Sequence, residues 1–286
     1  MRFFFRIVIL NHFEKNSKNS MKGILSLNDI KTWEEDAPNL VSKYHPSSKI
    51  KAEYPPNPEI NSKISILLRG DSTKLKIDAI VNAANSSLSP GGGICGAIHS
   101  AAGSQLADEC HKIGHCPTGQ SVLTNGYDLP AKYVIQTVGP IGEDPEALTS
   151  AYNSVYSLID GIKIRSVGLC CISTGIYGYP ITPATHIALK TARDFLEDPN
   201  NRAKTDRIIF VVFLARDCSV YMQLIHQYFP LDFELNVPIA KLESSTSESD
   251  SEIDSEEEDD DFFTPLTHEQ WEQLWKIKKY KDYNTK

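Results

Sequence analysis

An α/β domain with a largely parallel sheet covered on both faces is predicted by three observations. Short β-branched runs ended by turn residues recur through the middle of the chain, helical stretches alternate with them, and glycine-rich loops follow two of the runs. The strand runs are ISILLRGD from residue 64, IDAIVNAAN from 77, YVIQTVG from 133, SVGLCCIST from 166 and RIIFVVFLARD from 207. Each is short, rich in Val and Ile and closed by Gly, Asn, Asp or Ser, as a strand buried on both faces should be. Helices are expected over 96–113, 145–161, 183–197 and 217–228. In such sheets ligands bind beyond the carboxyl ends of the strands, so the loops that follow IDAIVNAAN and SVGLCCIST share one rim.

Outside this core, residues 1–60 read as an N-terminal extension. It holds one short helical candidate, LNDIKTWEE, and the proline-rich KAEYPPNPEI, where regular structure is not expected. The domain is placed at 61–232. Residues 233–263 form an acidic, serine-rich linker expected to be disordered, because it cannot bury enough apolar surface to offset its ordering entropy. Within it Ser245, Ser247, Ser249, Ser251 and Ser255 each have an acid three residues later, the pattern acidophilic kinases prefer. Residues 264–286 are read as an amphipathic helix, with Thr267 and Gln270 as a capping box and Trp271, Leu274 and Trp275 on one face. That face suits either docking on the domain or a protein partner.

The 286 residues are 41% apolar, enough for a core. The formal charge of −8 is carried by residues 243–261, which hold 11 acids and no Lys or Arg; without them the balance is 29 − 26 = +3. A near-neutral domain lacks the basic surplus of a duplex-nucleic-acid binder. Six cysteines in a chain this long do not make a disulfide scaffold, so reduced thiols and an intracellular setting, cytoplasmic or nuclear, are expected. The start, MRFFFRIVIL, is too short an apolar run to span a bilayer, and no membrane contact is expected. A degenerate mitochondrial presequence and a true start at Met21 are the alternatives, since Arg2, Arg6, Lys15 and Lys18 outnumber Glu14.

Chemistry concentrates in IVNAANSSLSPGGGICGAIHSAAG, residues 80–103. Gly91, Gly92 and Gly93 let a ligand approach main-chain N–H groups without meeting a Cβ, which suits a phosphate or ribose. STGIYGYP, residues 173–180, offers a second cradle at a helix start, with Tyr177 able to cover a sugar or ring. Taken singly, each loop serves equally as a plain turn.

Taken together, RGDSTKLKIDAIVNAANSSLSPGGGICGAIHSAAG, GYDLPAKYVIQTVGP and CISTGIYGYP resemble the macrodomain family, specifically its MacroD-type branch, over about residues 63–230. The resemblance implies a three-layer α/β/α macrodomain with a central mixed, mostly parallel sheet. It also implies binding of ADP-ribose or ADP-ribosylated protein, and either hydrolysis of mono-ADP-ribosyl bonds or deacetylation of O-acetyl-ADP-ribose, with no cofactor. It assigns Asp71 to the adenine amine, with Ser72 beside it, and Asn85 to the distal ribose hydroxyls, since an amide both donates and accepts. Asn82 is expected to be a structural loop asparagine. Gly91, Gly92, Gly93, Ile94 and Gly96, with Ser173, Thr174, Gly175, Ile176 and Tyr177, would grip the diphosphate and distal ribose. His99 either packs structurally or touches that ribose.

The departure is Cys95. The family pattern GGGVDG has an aspartate there, credited with positioning or activating the attacking water, and this chain reads Gly93-Ile94-Cys95-Gly96. An aspartate is ionised at neutral pH whereas an ordinary thiol is mostly protonated. Losing a positioned general base costs ~10²–10⁴-fold in rate. Catalysis by Asn85 and Cys95 therefore stands against a non-catalytic ADP-ribose reader, and an ADP-ribose 1″-phosphate phosphatase is a third alternative. A nucleophilic Cys95 would need His99 as its base. Cys95, His99, Cys110, His111, His115 and Cys116 do not reproduce a zinc spacing, so no metal is expected.

Overall fold

The computed structural model describes residues 23–44 and 51–232. The chain start, the acidic serine-rich segment and the helix expected around Trp271 and Trp275 lie outside them.

A two-residue ladder pairs Leu25–Ser26 (β1) with Leu75–Lys76 (β3). The main sheet is formed by Ile64–Leu68 (β2), Ala79–Ala83 (β4), Ser121–Asn125 (β5), Tyr133–Thr137 (β6), Ser166–Leu169 (β7) and Arg207–Val212 (β8). Their order is β2-β8-β7-β4-β6-β5, parallel throughout except that the edge strand β5 runs antiparallel to β6. Period-2 alternation supplies both faces. In β8, Ile208, Phe210 and Val212 enter one apolar core while Ile209 and Val211 enter the other.

The helices are Trp33–Tyr44 (α1), Pro58–Asn61 (α2), Gly93–Ala102 (α3), Ser104–Ile113 (α4), Pro145–Ile162 (α5), Ile181–Glu197 (α6), Pro199–Lys204 (α7) and Ala215–Tyr228 (α8). Buried residues of α1, α5, α6 and α8 share the first core, and those of α3 and α4 share the second, so the sheet is the middle of three layers. No helix among the described residues is long and apolar enough to cross a membrane.

Three local expectations are corrected. The stretch 96–113 is not one helix: Gly103 takes φ 80° and breaks it into α3 and α4, and a Cβ there would lie 2.7 Å from Asp128 Oδ2. The proline-rich stretch does contain regular structure, because Pro58 occupies the first helical position, where a missing N–H costs nothing, and Asn57 accepts from the Ile60 amide at 3.2 Å. The helical candidate 27–35 is a 3₁₀ turn at Leu27–Asp29 followed by α1. Thr32 and Glu35 open α1 as a reciprocal capping box, with the Thr32 amide donating to Glu35 at 2.8 Å and the Glu35 amide to Thr32 Oγ1 at 3.2 Å.

Trp33, Ala37, Val41 and Ile60, all within the segment read as an extension, are buried in the first core. The Trp33 indole N–H donates to the Phe229 carbonyl at 2.9 Å. Arg193, wholly buried, donates to the carbonyls of Tyr228 at 2.7 Å and Pro55 at 3.2 Å. The proline-rich segment is thereby tied to the C-terminal edge of the domain.

Candidate functional site

Because β2, β8, β7, β4 and β6 are parallel, their carboxyl ends open on one rim, and the predicted loops gather there. The site is built upward from β4. Alternation sends Ile80 to the α3 side, and Asn82 follows it. Asn82 is fully buried in the strand, not in a loop as expected. Its Nδ2 donates to Gln136 Oε1 at 2.7 Å, on the in-register residue of β6, and Gln136 Nε2 donates to Thr124 Oγ1 of β5 at 3.2 Å. This chain of polar groups crosses three strands beneath α3. Its last member touches the thiol: Asn82 Nδ2 lies 3.6 Å from Cys95 Sγ.

The turn after β4 is held by Asn85. Its Oδ1 accepts from Ser87 Oγ at 2.8 Å and from the Ser89 amide at 3.0 Å, while Nδ2 donates to the Ser89 carbonyl at 2.8 Å. Leu88, at φ 57°, drops its side chain into the second core and anchors the turn from below. Both acceptor positions of the Asn85 amide are therefore occupied locally, and one N–H of Nδ2 is left for a ligand. The half-buried Asn85 is brought next to the thiol, since a Cβ on Gly91 would stand 3.6 Å from Asn85 Nδ2 and 3.7 Å from Cys95 Sγ.

Gly92 caps α3, and its extended backbone leaves the first amides of the helix unpaired by any side-chain cap. Those amides and the positive end of the helix suit an anion. Gly96 lets the loop fold back on the helix, because a Cβ there would come 2.5 Å from the Gly91 carbonyl oxygen. Cys95 is 5% exposed, and its thiol donates to the Ser89 carbonyl at 3.7 Å. Ile94 packs against both cores. His99 is buried on the next turn of α3, with neither ring nitrogen bonded among the described residues, and burial lowers its pKa so that the ring stays neutral.

The second cradle follows β7. Ser173 adopts φ 65° with its Oγ buried and unpartnered among the described residues, and its carbonyl accepts from the Tyr179 amide at 3.0 Å. Thr174 Oγ1 donates to the Cys171 carbonyl at 3.0 Å, and the Gly178 amide closes a turn onto Gly175 at 3.0 Å. Gly139, after β6, is where this loop rests: a Cβ there would overlap Ser173 Oγ and lie 2.6 Å from Ile172 Cγ2. At the tip the two cradles meet, because a Cβ on Gly92 would stand 2.9 Å from Ile176 Cδ1. Tyr177 is half-buried beside them.

Asp71 lies beyond β2, where its Oδ1 accepts from the Thr73 amide at 2.9 Å and Thr73 Oγ1 at 2.7 Å, and Ser72 is buried behind it. The sequence did not single out Phe213. It follows β8, the strand next to β2, is 62% exposed, and has the Arg69 guanidinium 5.8 Å over its ring. An exposed aromatic and a carboxylate at neighbouring strand ends suit the face and the amine edge of a base. Its signal was faint: a phenylalanine one residue past an apolar run. No group of three or more His, Cys, Asp or Glu among the described residues could hold a metal ion.

The Macro domain family model matches residues 81–188. ADP-ribose glycohydrolase MACROD1 of Mus musculus is 46% identical over 216 residues, 73% of this chain and 64% of the relative. The same-named protein of Rattus norvegicus is 45% identical over 216 residues, 73% of this chain and 81% of the relative. The chain thus spans less than two thirds of the mouse relative's length. Among solved structures, the Trypanosoma brucei macrodomain in complex with ADP-ribose superposes with a TM-score of 0.60 at 38% identity, covering 71% of this chain and 77% of that one.

Proposed function

From the membership of this chain in the macrodomain family, we propose that it binds ADP-ribose in the cleft between residues 91–96 and 173–177 and hydrolyses mono-ADP-ribosyl bonds to acidic side chains or the ester of O-acetyl-ADP-ribose. The observation that carries the binding half is the meeting of two glycine-bearing loops over a capless helix N-terminus, with Asn85 at its base. Asp71 and Phe213 receive adenine, the α3 amides and the 173–177 loop receive the diphosphate, and the free N–H of Asn85 donates to a distal ribose oxygen.

In hydrolysis, water adds to the scissile bond and the acyl group leaves as its carboxylic acid. With a thiol where relatives of the pattern carry aspartate, water is positioned by Cys95, and its proton passes by way of the substrate's own phosphate to the departing oxygen. The same thiol favours a second reading, a reader that holds ADP-ribosylated protein without turnover. Calorimetric titration with ADP-ribose, run beside a turnover assay on a peptide mono-ADP-ribosylated at glutamate, tests both. Binding with turnover supports the hydrolase, binding alone supports the reader, and absence of binding refutes the assignment of the cleft.

A further inference from the structure

Two isoleucines on the rim are 80% exposed, more than any other large apolar side chain among the described residues. Ile176 is at the tip of the second cradle, and Ile141 is on the loop after β6. The Gly142 amide donates to the Tyr177 carbonyl at 2.7 Å, so the two loops are tied at the residues next to these side chains. Single exposed apolar residues are ordinary, but a pair held together at the mouth of a cleft is not scattered surface. The chain then runs directly into Glu143, Asp144 and Glu146, all exposed and none in an ion pair among the described residues, with no Lys or Arg between Lys132 and Lys163. Asp144 spends one oxygen on the Ala147 amide at the start of α5, and the other charges face solvent.

We propose that Ile141, with Ile176 beside it and Glu143 and Glu146 beyond, forms a docking lip for the polypeptide that carries the ADP-ribose. It would select an apolar residue next to the modified side chain and a Lys or Arg a few residues further on. The inference rests on the proposed ADP-ribose site: if the distal ribose lies between residues 91–96 and 173–177, its aglycone leaves the cleft at the Ile176 tip. The occupant follows from charge complementarity, since an unpaired acidic run beside an apolar pair repels an acidic segment and attracts a basic one. Glycine-rich cradles read only the nucleotide, so discrimination between protein substrates needs a surface of this kind outside them.

The test uses free ADP-ribose and three peptides joined to it through a hydrolysis-resistant linkage at a central glutamate, flanked by Ile and Lys, by Ser, or by Asp. Binding is read by fluorescence polarisation at low and high salt. The Ile/Lys peptide is expected to bind about tenfold more tightly than free ADP-ribose and than the Asp peptide, the difference shrinking as salt rises. Ile141→Ser should remove most of that gain while leaving free ADP-ribose affinity unchanged, and Glu143→Lys with Glu146→Lys should invert the preference between Lys and Asp flanks. Equal affinity for all three peptides and free ADP-ribose overturns the lip while leaving the nucleotide site standing. A matching loss for free ADP-ribose in Ile141→Ser also overturns it, because Ile141 would then belong to the nucleotide site. Failure of free ADP-ribose to bind overturns the proposed function, and the lip with it.

Discussion

The thiol at position 95 can be converted to the carboxylate of the family pattern, and the surroundings of Cys95 indicate what Cys95→Asp should do. Position 95 is the third residue of α3, so a carboxylate there lies near the half positive charge of a helix N-terminus. At about 4 Å and an effective dielectric near 20, that attraction is roughly 2 kcal/mol. Asn82 Nδ2, now 3.6 Å from Sγ, becomes a donor to an anion, contributing about 1.5–3 kcal/mol. Against these stand the desolvation of a carboxylate at a 5% exposed position and its approach to the Ser89 carbonyl, which loses the thiol donor. Burying an ion costs several kcal/mol, so the terms nearly balance and the variant should fold with its stability changed by about 1–2 kcal/mol. Turnover of a glutamate-linked mono-ADP-ribosyl peptide should rise by ~10²-fold, about 2.7 kcal/mol off the barrier, while ADP-ribose affinity holds or falls slightly beside the diphosphate. Wild type turning over as fast as Cys95→Asp would refute the reasoning. Alkylation of wild-type Cys95 then separates activation by the substrate phosphate from activation by the thiol, since only the second needs a free Sγ, provided ADP-ribose still binds.

Other perturbations bear on the scaffold and the second cradle. Gly139→Ala pushes a methyl into Ser173 and Ile172, so ADP-ribose affinity measured by calorimetry should fall about tenfold, and an unchanged affinity would remove the Ser173 loop from the site. Arg193→Leu leaves the carbonyls of Tyr228 and Pro55 without their donor and should lower unfolding stability in urea by about 2–4 kcal/mol; a neutral result would show that the proline-rich segment is not tied to the domain through this side chain. His226 is half-buried edge-on against Trp33, and its removal from water lowers its pKa from the ordinary 6.5 to about 4. Between those values the unfolded chain binds a proton that the folded one refuses, so its contribution is intact above pH 6.5 and is lost as pH falls towards 4. At 1.36 kcal/mol per pH unit the loss is on the order of 3 kcal/mol, and His226→Phe should flatten the decline of stability between pH 6.5 and 4. An equally steep decline in that variant would assign the acid sensitivity elsewhere.

What was legible in the sequence follows from what each signal reports. Periodicity and turn residues placed the strands of the parallel sheet, because a strand buried on both faces must be apolar throughout and must end abruptly. They did not reveal β5, since SVLTN is a half-buried edge strand without such a run. They could not reveal that α1 and the proline-rich stretch supply core residues, because Trp33 meets Phe229 across 196 positions. The same limit explains the site. Cys95 stood out because one motif spans the loop that carries it, whereas its neighbour Asn82 was misread because its role depends on Gln136, 54 positions away on the next strand. A period of two says which face a strand residue takes and nothing about what the adjacent strand offers there.

Asn85 shows the complementary limit of the sequence. From the sequence its amide was credited with donating to and accepting from the ribose, and in the fold Ser87 and Ser89 already fill both acceptor positions. The proposed ribose contact is thereby left with a single N–H, while the rest of the side chain sets the turn that brings Gly91 to Cys95. Substituting Asn85 should therefore damage binding through two routes at once: one lost donor, worth about 0.5–1.5 kcal/mol, and a released turn. Restoring the turn without the donor separates them. Asn85→Asp keeps the acceptors for Ser87 Oγ and the Ser89 amide but loses both Nδ2 donors and adds a charge, so it should lower the melting temperature by less than Asn85→Ala does while weakening ADP-ribose more than a single neutral hydrogen bond accounts for. A variant that lost stability and kept affinity would place the ribose contact on another residue of the cleft.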